Sequence, residues 1–226
     1  MDARIEAKRA AAEKAAEYVR DGMIVGLGTG STAYWVIQKL GEMTKNGLSM
    51  KAVATSTPSE LLAEELGITL VRLSEIDEID LTIDGADEID GEWNLIKGGG
   101  GALLREKIIA SASKELIIIA DESKVVQQLG RFPLPIEIVQ FGHELTLRKL
   151  ASYGCIPRLR MQGEEPFVTD NGNYIVDCEF GKIDQPRELH TELNMIPGVV
   201  ENGMFINLAS KVIIGALDGS VKELVR

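Results

Sequence analysis

Met23-Ile24-Val25-Gly26-Leu27-Gly28-Thr29-Gly30-Ser31-Thr32 decides the fold. Its first five residues form a short apolar run, the pattern of a buried strand. The glycines at 28 and 30 then let the main chain turn tightly, and a helical pattern follows over about residues 31–45. A strand that runs through a glycine turn into a helix opens an α/β unit. Upstream, the alanine-rich segment 2–20 has strong helix propensity and stops before Gly22.

Outward from this unit the alternation continues. Lys51-Ala52-Val53-Ala54 reads as a second strand. Thr57-Pro58-Ser59-Glu60 opens a helix with Thr57 as its cap, proline at the first helical position and an acid in the first turn; Gly67 ends it. Strands are expected at 69–73 and 81–84 and a helix at 102–113. Leu116-Ile117-Ile118-Ile119-Ala120 is the clearest fully buried strand. Strands alternating with helices imply an α/β fold with a mostly parallel sheet flanked by helices.

The pattern changes at Phe132-Pro133-Leu134-Pro135. From 134 to 206 the order reads strand, helix (144–153), strand, hairpin, helix (Pro186–Asn194), strand, with Asp170-Asn171-Gly172-Asn173 as the hairpin turn. That βαββαβ order predicts a smaller, inserted ferredoxin-like α+β domain. Lys211-Val212-Ile213-Ile214-Gly215 returns to a buried strand, and 218–226 is expected to be a last short helix. The expected division is therefore 1–131 with 207–226 as the larger domain and 132–206 as the smaller one.

Composition bounds the function. The chain has 226 residues, 45% of them hydrophobic, and a net charge of −11 from 24 basic and 35 acidic side chains. No basic stripe suggests nucleic acid as a partner. No apolar run approaches a membrane span and 2–20 carries charges throughout, so a cytoplasmic protein is expected. Cys155 and Cys178 lack metal-type spacing and read as reduced, buried thiols.

Four segments carry chemistry. Gly26 to Thr32 is either a phosphate cradle, with the hydroxyls of Thr29, Ser31 and Thr32 beside a helix N-terminus, or a tight turn with a hydroxyl cap. It is no Walker A loop, because Ser31 stands where lysine is required. Asp84-Gly85-Ala86-Asp87 follows a buried run, so Asp84 falls at the strand end where ligands of open α/β sheets bind. Glu88 and Asp90, by contrast, read as a solvated acidic turn. Lys97-Gly98-Gly99-Gly100-Gly101 leads to a helix carrying Glu106. Four glycines in a row imply close approach of main chain and ligand. Glu106 is either a base, partly desolvated by Leu103, Leu104, Ile108 and Ile109, or an exposed glutamate paired with Arg105 or Lys107. Asp121-Glu122-Ser123-Lys124 places Lys124 either toward a phosphate or in solvent. Lys8 in the first helix is the weakest of these signals. Met204-Phe205-Ile206 reads as core rather than as a subunit interface.

Taken in this order, the segments 26–32, 84–90, 97–107, 120–124, 132–138, 168–173 and 196–205 resemble ribose-5-phosphate isomerase of the A type, along essentially the whole chain. The resemblance implies a Rossmann-like domain with a smaller α+β domain. It implies interconversion of D-ribose 5-phosphate and D-ribulose 5-phosphate through a cis-enediolate, in the non-oxidative pentose phosphate pathway, without metal or organic cofactor. A homodimer or homotetramer is implied too. It makes Glu106 the base and Asp84, Asp87 and Lys97 its catalytic companions. Substrate binding is implied for Thr29, Gly30, Ser31, Thr32, Asp84, Gly85, Ala86, Asp87, Lys97, Gly98, Gly99, Gly100, Lys124 and Lys8. Two other classes compete. One is a CoA transferase, sugar-phosphate deaminase or lactonase on a similar superfold. The other is a sugar-phosphate-sensing regulator, for which the single N-terminal helix and the lack of a basic recognition helix are poor material.

Overall fold

The computed structural model describes residues 2–225. By internal contacts it divides into two compact units. The first comprises the chain up to Ala86, Arg105–Lys124 and the chain from Leu208 onward; the second comprises Asp87–Leu104 and Val125–Asn207.

The first unit is built on a seven-stranded sheet. Across it run Val221–Val225, Lys211–Gly215, Ser113–Asp121, Ile79–Gly85, Ile24–Leu27, Lys51–Ala54 and Thr69–Leu70. All neighbours are parallel except the first pair, so the sheet is Rossmann-like. The interior strand Ser113–Asp121 explains the uninterrupted apolar run seen in the sequence. Leu116 to Ile119 are at most 2% exposed, because both faces are covered. Complete burial of such a side chain contributes roughly 1.5–3 kcal/mol.

Helix Ala3–Ala16 buries Ala7, Ala11, Ala12, Ala15 and Ala16 completely. Small residues are needed because the helix lies directly on the strand Lys211–Gly215. A Cβ on Gly215 would stand 1.9 Å from the carbonyl oxygen of Ala7. Helix Thr57–Glu65 is capped by Ser56, whose Oγ accepts from the Ser59 N–H, so the cap lies one residue before the expected Thr57.

The chain end corrects one expectation. Val221–Val225 is a strand antiparallel to Lys211–Gly215, not a helix. The Ala216–Ser220 turn closes the hairpin with Ala216 N–H donating to Ser220 and Gly219 N–H to Ala216. Asp218 Oδ1 fixes the turn by accepting from the Ser220 N–H and hydroxyl. The strand expected over 69–73 shrinks to Thr69–Leu70, followed by a 3-10 turn at Leu73–Glu75.

The second unit contains an antiparallel four-stranded sheet in the order Val199–Asn202, Leu134–Ile138, Tyr174–Glu179, Ile156–Leu159. Helices His143–Ala151 and Pro186–Asn194 complete the ferredoxin-like βαββαβ unit. Its core includes Ile136, Ile138, Leu150, Val176, Leu193 and the free thiols Cys155 and Cys178. A small extra hairpin, Met161–Gln162 with Glu165–Pro166, precedes the expected turn. Glu137 anchors that turn from below. It is fully buried, and its Oε1 accepts from Thr169, Asn171 and Asn173.

A three-stranded sheet, Met204–Phe205, Leu95–Ile96 and Glu88–Ile89, also belongs to this unit and was not legible in the sequence. Its pairings, with the Val126 N–H bonded to Ile89, draw 87–104 and 125–131 into the second unit. The division thus differs from boundaries at 131/132 and 206/207. Met204 and Phe205 are fully buried core.

Gly215→Val is expected to destabilise the chain by at least about 2 kcal/mol through overpacking against the Ala7 carbonyl. Thermal melting checks this, and a variant melting with the parent would contradict the contact.

Candidate active site

The site begins where the strand Ile24–Leu27 meets the strand Ile79–Gly85. Gly28 N–H donates to Ile83 O at 3.0 Å, which draws the two strand ends together. A Cβ on Gly28 would lie 2.2 Å from Asp84 Oδ1, so only glycine fits. Asp84 is 1% exposed, and its Oδ1 accepts from the N–H groups of Thr29 (3.1 Å) and Gly85 (2.7 Å).

The loop after Gly28 is fixed from behind by hydroxyls. Thr29 Oγ1 donates to Ser56 Oγ at 2.8 Å and lies 2.7 Å from Thr55 Oγ1. Ser59 Oγ donates to Gly28 O at 2.8 Å. This corrects the expected role of the Thr29 hydroxyl. It is spent inside the protein, because Thr55 and Ser56 are buried and must find partners there. What the loop offers outward is different. The N–H groups of Gly30, Ser31 and Thr32 form no hydrogen bond among the described residues, and they precede helix Ala33–Lys45. Free N–H groups and the positive end of a helix favour an anion. Lys8 joins them, with Nζ donating to Ser31 Oγ at 2.9 Å. The weakest sequence signal therefore lies directly on the loop. A cavity of about 520 Å³ opens beside it, lined by Lys8, Thr29, Gly30, Ser31, Tyr34 and Trp35 among others.

Glu106 lies in the first turn of helix Leu103–Ser111 and is 3% exposed, so the solvated alternative is excluded. Of the apolar neighbours expected to desolvate it, Leu103 and Ile109 are buried but Ile108 is about half exposed and faces outward. Lys124 ends a 3-10 turn, Glu122–Lys124, immediately after the strand Ser113–Asp121. Asp121, 1% exposed, organises that turn by accepting from both the N–H and the hydroxyl of Ser123.

In the second unit, Asp87 accepts the Gly99 N–H at 2.8 Å. Lys97 N–H donates to Gly203 O at 2.8 Å, and the lysine is only 2% exposed, its ammonium 5.4 Å from the centre of the Phe205 ring. The glycines form a tight turn in which Gly101 N–H returns to Gly98 O at 2.9 Å. Gly98 and Gly101 have φ of +103° and +79°, which side-chain-bearing residues rarely adopt. Glu88 is corrected. It is 3% exposed and accepts the N–H groups of Gly130 and Phe132, both at 2.7 Å. Asp90 closes its own turn on Glu92 and Asn94. Arg160, which holds Gly98 and Gly99 by their carbonyls, was missed, since a lone arginine between two short strands carries no sequence signal. Among the described residues no group of three or more His, Cys, Asp or Glu side chains is placed to hold a metal ion, and no helix is long and apolar enough to cross a membrane.

The model of the family "Ribose 5-phosphate isomerase A (phosphoriboisomerase A)" matches residues 51–219. A ribose-5-phosphate isomerase A of Bacillus mycoides is 61% identical over 217 residues, covering 96% of this chain and 98% of its own length. One from Oceanobacillus iheyensis is 50% identical, with 96% and 98% covered. Among solved structures, ribose 5-phosphate isomerase from Plasmodium falciparum superposes with a TM-score of 0.95 at 43% identity, covering 100% of this chain and 99% of that one. A D-ribose-5-phosphate isomerase in complex with phospho-erythronic acid gives 0.94 at 42% identity, with 97% of each chain covered.

Gly28→Ala places a methyl group on the Asp84 carboxylate and is expected to lower stability by about 1–3 kcal/mol. A melting temperature equal to the parent's would show that Asp84 is not held against this loop.

Proposed function

The chain belongs to the ribose 5-phosphate isomerase A family, isomerases that interconvert ribose 5-phosphate and ribulose 5-phosphate, and on that premise we propose how its residues perform the reaction. Glu106 is the base. It moves a proton between C2 of the aldose and C1 of the ketose through a cis-enediolate, serving both carbons from one face. General-base assistance of this kind supplies on the order of 10²–10⁴-fold.

Removal of the proton puts negative charge on the carbonyl oxygen. Lys97 and the main-chain N–H groups of Gly98 and Gly100 stabilise it, groups worth roughly 10²–10³-fold each, while the Gly99 N–H is held by Asp87. Asp84 and Asp87 handle the hydroxyl protons during ring opening and between O1 and O2. Gly30 to Thr32, Lys8 and Lys124 grip the phosphate, and Gly85 and Ala86 continue the substrate-binding segment. Thr29 contributes by shape, through its bonds to Thr55 and Ser56, rather than by its hydroxyl. Fixing the far end of the sugar sets which carbon meets the base. The family resemblance further supports a cytoplasmic homodimer or homotetramer that works without metal or organic cofactor.

The observation that carries this reading is the burial of Glu106 at 3% exposure in the first turn after the glycine loop. Burial of a carboxylate is costly. Glu137 and Glu88 are buried where they anchor turns and main chain, whereas Glu106 follows directly on the glycine loop, where a proton-transfer site needs a base out of water. Phospho-erythronic acid, the ligand of one solved relative, suits the same reading. Its planar carboxylate resembles the enediolate in charge and shape.

Glu106→Gln is expected to bind ribose 5-phosphate with little change and to lower turnover by at least ~10²-fold. A variant within a few-fold of the parent in a ketose assay would remove Glu106 from the role. Turnover in the parent is expected to be unaffected by a chelator, and its loss would contradict metal-independent chemistry.

A further inference from the structure

The second unit contains a clamp on the glycine loop. Arg160, between the strands Ile156–Leu159 and Met161–Gln162 and 62 positions from Gly98, donates its Nη1 to the carbonyl oxygens of Gly98 (3.0 Å) and Gly99 (3.2 Å). Its other edge is taken by Asp177 in a two-point bond, Nε to Oδ2 at 2.9 Å and Nη2 to Oδ1 at 2.5 Å. The side chain is 16% exposed, and the guanidinium carbon lies 5.8 Å from the centre of the Phe167 ring. That ring fills the space beside Gly101, where any Cβ would come within 2.5 Å of it. The pairing with Asp177 balances the arginine's charge. Toward the loop the side chain therefore acts as an oriented donor rather than as a distant positive charge.

The consequence follows from the planarity of the peptide group. In a trans peptide the C=O and the following N–H point in opposite directions. Binding Gly98 O fixes the peptide whose N–H belongs to Gly99, and that N–H points to Asp87 Oδ2 at 2.8 Å. Binding Gly99 O fixes the next peptide, whose N–H belongs to Gly100. That N–H is turned away from Arg160 and forms no hydrogen bond among the described residues. Gly98 O has both lone pairs engaged, since it also accepts from Gly101 N–H. A run of glycines has no side chains to set these planes, and glycine backbones are otherwise the most mobile. Something outside the loop must hold them.

We propose that Arg160 is a positioning residue for the isomerisation: by holding the Gly98 and Gly99 carbonyls it aims the Gly100 N–H at the developing enediolate oxygen and locks Asp87 onto Gly99. The inference rests on the reading that the Lys97–Gly100 loop stabilises the oxyanion. It predicts a signature that a merely structural role lacks. Misaimed donors weaken binding of the transition state more than binding of the substrate, so kcat falls while KM holds.

The test is steady-state kinetics of Arg160→Met and Arg160→Lys, with inhibition by phospho-erythronic acid and thermal melting of each variant. Arg160→Met is expected to lose about ten- to a hundredfold in kcat, less than the roughly 10²–10³-fold of deleting a donor outright. KM should stay within about threefold, and the inhibition constant should rise with the loss in kcat/KM. Arg160→Lys, which keeps the charge but cannot serve Asp177 and both carbonyls together, should fall between the parent and the methionine variant. A folded Arg160→Met with parental kcat and parental inhibition overturns the proposal. If the methionine variant does not fold, a folded lysine variant with parental kcat and inhibition does the same. Lys97→Ala separates the two levels of the argument. If it retains turnover, the oxyanion reading itself fails. If it loses turnover while the Arg160 variants match the parent, only the clamp fails.

Discussion

A carboxylate that has left water must be met by donors, and Asp84 meets that demand at the junction of two parallel strands. Its Oδ1 gathers the N–H groups of Thr29 and Gly85, one from each strand end. The approach is possible only because residue 28 has no side chain. Once this junction is made, the direction of the chain after Gly28 is set, and with it the three outward N–H groups that precede helix Ala33–Lys45. The hydroxyl group of Thr29, with Thr55, Ser56 and Ser59, backs the loop so that it does not depend on the ligand for its shape. A loop preformed in this way would take an anion without a large ordering penalty.

The glycine segment 97–101 is organised on a different principle. Its partners come from outside the loop: Gly203 holds Lys97, Asp87 holds Gly99, and Arg160 holds two carbonyls. The loop is bare of side chains yet fixed in direction. That combination suits main-chain donors that must face developing charge without reorganising during the reaction. The buried glutamate and lysine carry the same message. A lysine is seldom as little as 2% exposed for the sake of stability alone, and the glutamate beside the glycine segment bears the same desolvation cost.

Much of this was legible in the sequence because it rests on strong local signals. Apolar runs of four or five residues gave the central parallel strands. The βαββαβ order around the Pro133 and Pro135 boundary gave the ferredoxin-like unit. The same signals placed Asp84 at its strand end and Glu106 in the helix after the glycines. The failures have equally definite causes. Val221–Val225 was read as a helix because a short charged segment has little periodicity, and its pairing with Lys211–Gly215 is a tertiary fact. The two-residue strands at 88, 95 and 204 have no period to detect. Glu88 looked like surface because acids flank it, but the chain from Gly130 to Phe132 brings it two N–H donors. Arg160 was silent because its partners are main-chain carbonyls, which every sequence has.

The central claim is that the Glu106 carboxylate carries the hydrogen between C1 and C2. Its most direct test is solvent exchange, followed by NMR in deuterium oxide, at C2 of ribose 5-phosphate and C1 of ribulose 5-phosphate. The parent chain should catalyse entry of deuterium at these carbons, and Glu106→Gln should bind the sugar yet slow that entry by at least ~10²-fold. Deuterium entering at the parental rate with glutamine at position 106 would contradict the account.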